Sequence, residues 1–321
     1  MKEAIATIGM FDGVHRGHRH LLETLLEESR RRGLHPVVYT FDRHPRQVLM
    51  GDASVQLLTT PEERLRLLRS LGDFELVVLP FSRAMASLSA CQFYEQVLQR
   101  NHDIRALVMG YDNSFGNKQH DDFAQLDDYL HRDGVARIDD VPVYYNDIEN
   151  SELRELSIHN SNIHNSTFNI HNSKLAISST QIRRALQAGD VSLANAMLGY
   201  RYTLTGTVTA GRHIGHALGF PTANLDCGQQ AKLLPADGVY AMTARCGEAS
   251  WRAVANLGAQ PTVGGRQRVL EVHLLDDGPQ LYGKQLQVAF VSRLRDIRTF
   301  DSPEALSAQI QQDIEQCKSL F

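Results

Sequence analysis

The stretch IGMFDGVHRGHRHLL, residues 8–22, decides how the chain is read. One short apolar run, AIATI at 4–8, precedes it, and a helical pattern follows. Between them lie a glycine, an Asp-Gly turn and two histidines three residues apart, His15 and His18. Backbone N–H groups at a helix start, joined by imidazole donors, bind phosphate oxygens. Gly17 lets a phosphate come close to the backbone. An isolated pair of histidines is more often a satisfied surface turn. Here a strand before, a helix after and the Asp-Gly turn between point to a phosphate corner where a first strand feeds a first helix.

The pattern continues outward from that corner. Short β-branched runs at 36–41, 76–81 and 105–109 alternate with helical patterns at 21–32, 61–71 and 91–99. Thr60-Pro61-Glu62-Glu63 is a strong helix start, with Thr60 as cap, Pro61 first and Glu63 able to close a capping box. Alternating strands and helices imply a parallel sheet with right-handed crossovers. Ligands of such sheets lie at the carboxyl ends of the strands, and residues 9–18 fall there. A Rossmann-like α/β first domain is expected.

At 146–174 the texture changes. IHNS begins at Ile158, Ile163 and Ile170 within a tract rich in Asn, Ser and His. No carboxylate or cysteine fixes a metal-ligand set there. The expectation is a polar surface insertion over about 148–174. Ser178-Ser179-Thr180 then caps a helix that ends at Gly189, and a second short helix covers 192–198. Beyond it the periodicity is two. Thr203, Thr205, Thr207 and Thr209 alternate with Leu204, Gly206 and Val208. Further strands are expected at 238–245, 251–256, 269–275 and 285–291. Together they suggest a small antiparallel barrel, followed by a C-terminal helix at 303–318 capped by Ser302. The domains are set at 1–190 and 191–321.

Composition bounds the function. The 321 residues suffice for two ordinary domains, with 42% hydrophobic residues and a formal charge of -4. Such a balance offers no bulk attraction for nucleic acid or an acidic membrane. No run approaches the roughly 18 apolar residues a membrane helix needs. Cys91, Cys227, Cys246 and Cys317 have no CxxC spacing and read as reduced thiols of a cytoplasmic protein. The partners expected are small charged molecules, not nucleic acid or membrane; oligomeric state is left open.

A second glycine-rich stretch, GRHIGHALGFPTANL at 211–225, carries Gly211, Gly215 and Gly219 and ends in PTAN. Its glycines suit a flap whose amides face phosphates. Thr222 and Asn224 offer hard oxygen ligands for Mg²⁺. Phosphoryl transfer also needs a base near the attacking hydroxyl, and Glu271 in LEVHL is the candidate. The bland alternatives are a flexible hairpin and a solvent-facing strand glutamate.

These motifs together resemble the bacterial bifunctional riboflavin kinase and FMN adenylyltransferase (FAD synthetase) family. The resemblance rests on residues 9–22 with their HxGH, on TFDRHP at 40–45, GYD at 110–112, ISSTQIR at 177–183, PTAN and EVHLLD. It covers nearly the whole chain outside the IHNS tract. It implies that the C-terminal barrel is a six-stranded antiparallel one that phosphorylates riboflavin with MgATP, with Glu271 as base and Thr222 and Asn224 on the metal. It implies that the first domain transfers AMP from ATP to FMN, giving FAD and pyrophosphate. There His15 and His18 steady the departing phosphates. Gly9, Phe11, Gly17, Ser178, Ser179, Thr180 and Arg183 hold the nucleotide, as Gly211, Gly215, Gly219 and Thr222 do in the kinase. Asp112 and Arg295 are assigned to flavin.

The chain departs from the family pattern at several positions. Asn113 and Ser114 replace an aromatic and an arginine, and Gln119 and Gln181 stand where basic residues are usual. His216 replaces an arginine and Ile297 a glutamate. Each lost charge-assisted phosphate contact costs about 1.5–3 kcal/mol. Two alternatives follow: a riboflavin kinase with a weakened or inactive adenylyltransferase domain, and a flavin- or nucleotide-sensing protein on a degenerate enzyme scaffold.

Overall fold

The computed structural model describes residues 2–51, 55–111, 123–148, 175–209, 220–227, 232–262, 265–275, 279 and 281–321. The chain forms two compact units. One comprises 1–144 and 176–179; the other comprises 145–175 and 180–321.

The first unit is built on β1 (Glu3–Ile8). Five consecutive residues of this strand are buried, because helices cover the parallel sheet on both faces. The helix α1 (Arg16–Arg32) leads to β2 (His35–Phe41), then α2 (Pro45–Met50), α3 (Pro61–Arg69) and β3 (Glu75–Leu79). Next come α4 (Arg83–Ala86), α5 (Ala90–Phe93), a π-helical turn at Tyr94–Gln99, and β4 (Asp103–Met109). The unit continues through α6 (Phe123–Arg132) and β5 (Ala136–Asp139). The sheet order is β3-β2-β1-β4-β5 with parallel pairing throughout. Leu21, Leu22 and Leu25 of α1 and Leu68 of α3 pack on Ile5, Val38, Ala106 and Val108. Phe93, Tyr94, Leu98, Leu126 and Leu130 pack with Ala4, Ala6, Ile8 and Leu107. The capping box at α3 closes both ways: Thr60 N–H donates to Glu63 at 3.0 Å, and Glu63 N–H donates to Thr60 Oγ1 at 3.2 Å.

Two boundaries differ from the sequence reading. α1 begins at Arg16, not at residue 21, because His15 is its N-cap. The polar run RGHRH hid the first turn. The helix expected over 91–99 divides at Phe93, where the backbone widens into the π turn. Periodicity had not revealed α6, β5 or the later strand Ala223–Asp226; each is short or mixed in polarity.

In the second unit α7 (Ser179–Ala188), all but its first residue, and α8 (Val191–Leu198) precede the barrel. Gly189 follows α7 at φ 81°, as a C-terminal glycine should. The barrel strands are β6 (Thr203–Thr209), β7 (Ala223–Asp226), β8 (Gly238–Cys246), β9 (Ala249–Thr262), β10 (Gly265–Leu274) and β11 (Gln285–Arg295). They close in the order β10-β7-β6-β11-β8-β9. Burial along β6 alternates as the threonine pattern requires. The final helix, α9 (Pro303–Lys318), lies on the outside of the barrel. Its Ile314 and Cys317 cover Val239, Ala241, Val254 and Val291.

Candidate functional sites

The first candidate site forms where β1 runs into α1. Gly9 N–H donates to Tyr39 O at 3.1 Å. Phe11 then turns at φ 52° and Val14 at φ 39°, rare values for residues with side chains. Phe11 is 1% exposed, and a side chain at Gly9 would press on its ring at 3.1 Å. The Phe11 ring meets His18 edge-on at 5.2 Å, and His15 stacks on His18 with centroids 3.6 Å apart. His15 Nδ1 accepts the His18 N–H at 3.4 Å. A side chain at Gly17 would crowd the His15 ring at 3.3 Å and Ile177 O at 3.5 Å.

His18 Nδ1 is shut off from solvent and has no partner. Burial lowers the ring's pKa to about 4, against an opposing pull from Asp12. His18 is therefore a neutral imidazole at pH 7, with an inward ring nitrogen unsatisfied. An orphaned polar atom beside a helix N-terminus suits a phosphate ligand.

Asp12 holds the corner in place. Its carboxylate, 2% exposed, accepts the N–H groups of Leu58 and Thr59 at 3.0 Å and the Thr59 hydroxyl at 3.1 Å. Thr59 Oγ1 in turn accepts Gly13 N–H at 3.1 Å. The Asp12 carbonyl accepts the Ser179 hydroxyl at 2.8 Å. Ser179 of ISST thus meets the FDG turn directly. The sequence reading missed Asp12 and Thr59 as site residues. Forty-six residues separate Gly13 from Thr59, and no local pattern signals their bond. Ser178 precedes α7, and Thr180 and Arg183 lie along it. Asp112, Asn113, Ser114 and Gln119 fall outside the described residues.

The second candidate site is a lateral row of the barrel. Strand register places Thr209 beside Asn224, Asn224 beside Glu271, and Glu271 beside Asn256. The row continues through Val239 to Arg295. Directly opposed residues hold Cβ atoms about 4.5–5.5 Å apart. Leu270 and Val272, on either side of Glu271, are buried at 2% and 1%. By alternation Glu271 points to the barrel's other face. Asn224 Oδ1 is closed off from solvent with no partner. Such a carbonyl oxygen, beside a carboxylate and two residues after Thr222, fits a hard divalent cation. His273, two residues past Glu271, binds Pro221 O through Nδ1 at 2.8 Å, and Phe220 packs edge-on against it. The histidine of EVHLL thereby ties the PTAN segment to β10. A cleft of about 230 Å³ adjoins the row, lined by Thr209, Asn224, Asp226, Leu257 and Arg268 among others.

Arg295 grips Asp313 of α9 with three hydrogen bonds of 2.8–3.1 Å and lies 5.7 Å from the Phe300 ring centroid. Ile297 lies over Gly258, whose added side chain would meet it at 2.6 Å. Asn256, exposed beside Glu271, is a further site residue that sequence reasoning passed over within ANLG. Gly211, Gly215, His216 and Gly219, and the IHNS tract at 149–174, lie outside the described residues. The four cysteines are free.

Comparison with known proteins matches both parts of the chain. A family model for FAD synthetase matches residues 1–152, and one for riboflavin kinase matches 198–321. The bifunctional riboflavin kinase/FMN adenylyltransferase of Escherichia coli K12 is 35% identical over 96% of this chain and 90% of its own. The chain belongs to the bifunctional riboflavin kinase/FMN adenylyltransferase family. Relatives of the same name from Haemophilus influenzae and Bacillus subtilis are 32% and 31% identical, over 98% and 99% of this chain and 93% of each of theirs. A crystal structure from Streptococcus pneumoniae, described as a macrolide-efflux protein, superposes with TM-score 0.81 at 29% identity. It covers 99% of this chain and 94% of that one. Within the family's two matched regions, the His15–His18 corner falls in the FAD synthetase part, and Asn224 and Glu271 fall in the riboflavin kinase part.

Proposed function

We infer that the protein phosphorylates riboflavin with ATP to give FMN and then adenylylates FMN to give FAD and pyrophosphate. For the kinase step, the carrying observation is the unpartnered Asn224 Oδ1 set directly opposite Glu271. Thr222 and Asn224 would hold Mg²⁺, which when bound neutralises phosphate charge. Glu271 accepts the proton of the ribityl 5′-hydroxyl as the hydroxyl oxygen attacks the γ-phosphorus of ATP; the bond from that phosphorus to the bridging oxygen breaks and ADP leaves. His273 fixes Pro221 and so keeps the PTAN oxygens in register with that carboxylate.

In the adenylyl step an FMN phosphate oxygen attacks the α-phosphorus of a second ATP, and pyrophosphate leaves. His15 and His18, with the N–H groups of the first turn of α1, receive the departing oxygens. Ser178, Ser179, Thr180 and Arg183 of ISSTQIR assist, with Gly9, Phe11 and Gly17 shaping the corner. Asp112 and Arg295 contact flavin in this reading, and Gly211, Gly215 and Gly219 cover the kinase nucleotide. The domain division is set at 190, and the compartment is the cytoplasm, a reading supported by the four free cysteines. The efflux described for the S. pneumoniae protein finds no counterpart in the two matched families. Among the described residues no helix is long and apolar enough to cross a membrane.

The test is to incubate the purified protein with riboflavin and MgATP and to resolve FMN from FAD chromatographically. His18→Ala should abolish FAD while FMN still forms. Glu271→Ala should make no FMN yet convert supplied FMN to FAD. Equal damage to both steps by both variants would overturn this division of labour.

A further inference from the structure

Arg64 stands apart from every other arginine described. It is 0% exposed, yet no carboxylate pairs with it within ion-pair distance among the described residues. Its Nη2 donates to Phe41 O, its Nη1 reaches only the thioether of Met10 at 3.8 Å, and its Nε is buried without a partner. A guanidinium stays charged in proteins. Taking it out of water without a paired counter-charge costs several kcal/mol, and an apolar side chain of similar volume would be cheaper. By contrast Arg31, Arg137 and Arg268 bind carboxylates at the surface, and Arg295 holds a near-buried aspartate.

Its position accounts for that cost. Arg64 lies on α3, directly after the capping box. Met10 follows Gly9 in the nucleotide corner, and Phe41 ends β2, next to Asp42. Both contacts are therefore at the carboxyl edge of the sheet, where ligands of such folds bind. The carboxylates that act on Arg64 electrostatically are Asp12, Asp42 and Glu62. Asp12 braces the FDG turn, and Asp42 accepts the N–H groups of Arg43 and Phe81 at 2.7 and 2.8 Å. Two structural carboxylates thus belong to the corner read as the polyphosphate site, where their charge would oppose a polyanion. A fixed buried cation near enough to feel both offsets that repulsion, and the low local dielectric strengthens its effect.

We propose that Arg64 is a positioning residue of the adenylyltransferase site: its buried guanidinium joins the Met10 and Phe41 loop ends and offsets Asp12 and Asp42, so that the corner accepts the triphosphate. It touches no reacting atom. This deepens the adenylyltransferase reading and rests on it. The FAD-forming activity of the wild-type enzyme, measured first, tests that reading separately.

The proposal makes stability and ligand affinity move apart. Arg64→Met removes the charge and keeps a long apolar chain; Arg64→Lys keeps the charge and loses the fork. Arg64→Met should melt at the wild-type temperature or above it. It should bind pyrophosphate at least tenfold more weakly in calorimetry and raise KM for ATP in FAD formation by a similar factor. Arg64→Lys should recover a good part of that affinity. FMN formation, carried by the barrel, should be unchanged in both variants and reports that the chain is folded. Wild-type pyrophosphate affinity in Arg64→Met would overturn the proposal. So would a lower melting temperature with an unaltered KM, the signature of a brace alone.

Discussion

At the nucleotide corner the fold controls the protonation of His18. Its ordinary pKa of 6.5 falls to about 4 because the ring is buried. A histidine held neutral stabilises the native state fully above pH 6.5. That contribution is lost as pH falls from 6.5 toward 4, where the unfolded chain binds a proton and the folded one does not. At pH 5 the loss amounts to at most about 2 kcal/mol, and the part of the ring that remains exposed reduces it. His18→Phe removes the titration and keeps the stacking surface beside Phe11 and His15. Urea unfolding at pH 7 and pH 5 should show the wild type losing more stability than the variant. Parallel acid limbs in the two proteins would show that His18 already titrates normally. In the proposed adenylyl step a neutral ring would meet the phosphate as a single N–H donor. Bound phosphate would pull its pKa upward, so that positive charge is gained where negative charge collects.

At the level of elements, β7 is the most exacting piece. This four-residue strand carries Asn224 and is held between β6 and β10. On β6, Gly206 leaves no space for a side chain: a Cβ there would lie 2.4 Å from Asp226 O and 2.9 Å from Leu225. Gly206→Ala must push β6 and β7 apart, at a cost of about 1–3 kcal/mol for overpacking. It should also reduce FMN formation more than FAD formation from supplied FMN. Gly33→Ala is the control, since Gly33 closes α1 at φ 68° with nothing within 4 Å. It should cost about 1 kcal/mol or a little more, from backbone conformation alone, and leave both activities alike. Melting curves with the two product assays measure all four quantities. What could be read from the sequence follows the same division. Repeating or capped elements were legible: the threonine alternation of β6, the Thr60–Glu63 box and the Ser302 cap each follow from local chemistry. The HxGH corner, PTAN and EVHLL could be found as motifs. Contacts that depend on barrel closure or on distant chain could not. The row joining Asn224, Glu271 and Asn256 exists only through register. The clasp of Asp12 on Thr59, and Arg64 beneath it, join segments with no shared pattern. β7 itself was invisible because four residues of mixed polarity give no period.

For the whole molecule, the decisive fact is that the product of one candidate site is the substrate of the other. The two candidate sites draw on different side chains: His15, His18, Asp12 and Ser179 at the corner, Thr222, Asn224, Glu271 and His273 on the barrel. FMN is a small anion that can leave one site and be taken up from solution at another. The adenylyltransferase corner as proposed does not require the FMN it uses to come from the same chain. Two crippled proteins should therefore complement each other. His18→Ala keeps the kinase row, and Glu271→Ala keeps the nucleotide corner. Each alone should make no FAD from riboflavin. An equimolar mixture with riboflavin and MgATP should make it, after a lag while free FMN accumulates. The lag should shorten as protein concentration rises and vanish when FMN is added at the start. If each variant kept its own step but the mixture still made no FAD, FMN would have to pass directly within one chain, and the independence of the two sites would fail. If the mixture showed no lag at all, FMN would be handed over without reaching solution, and the same independence would be lost by another route.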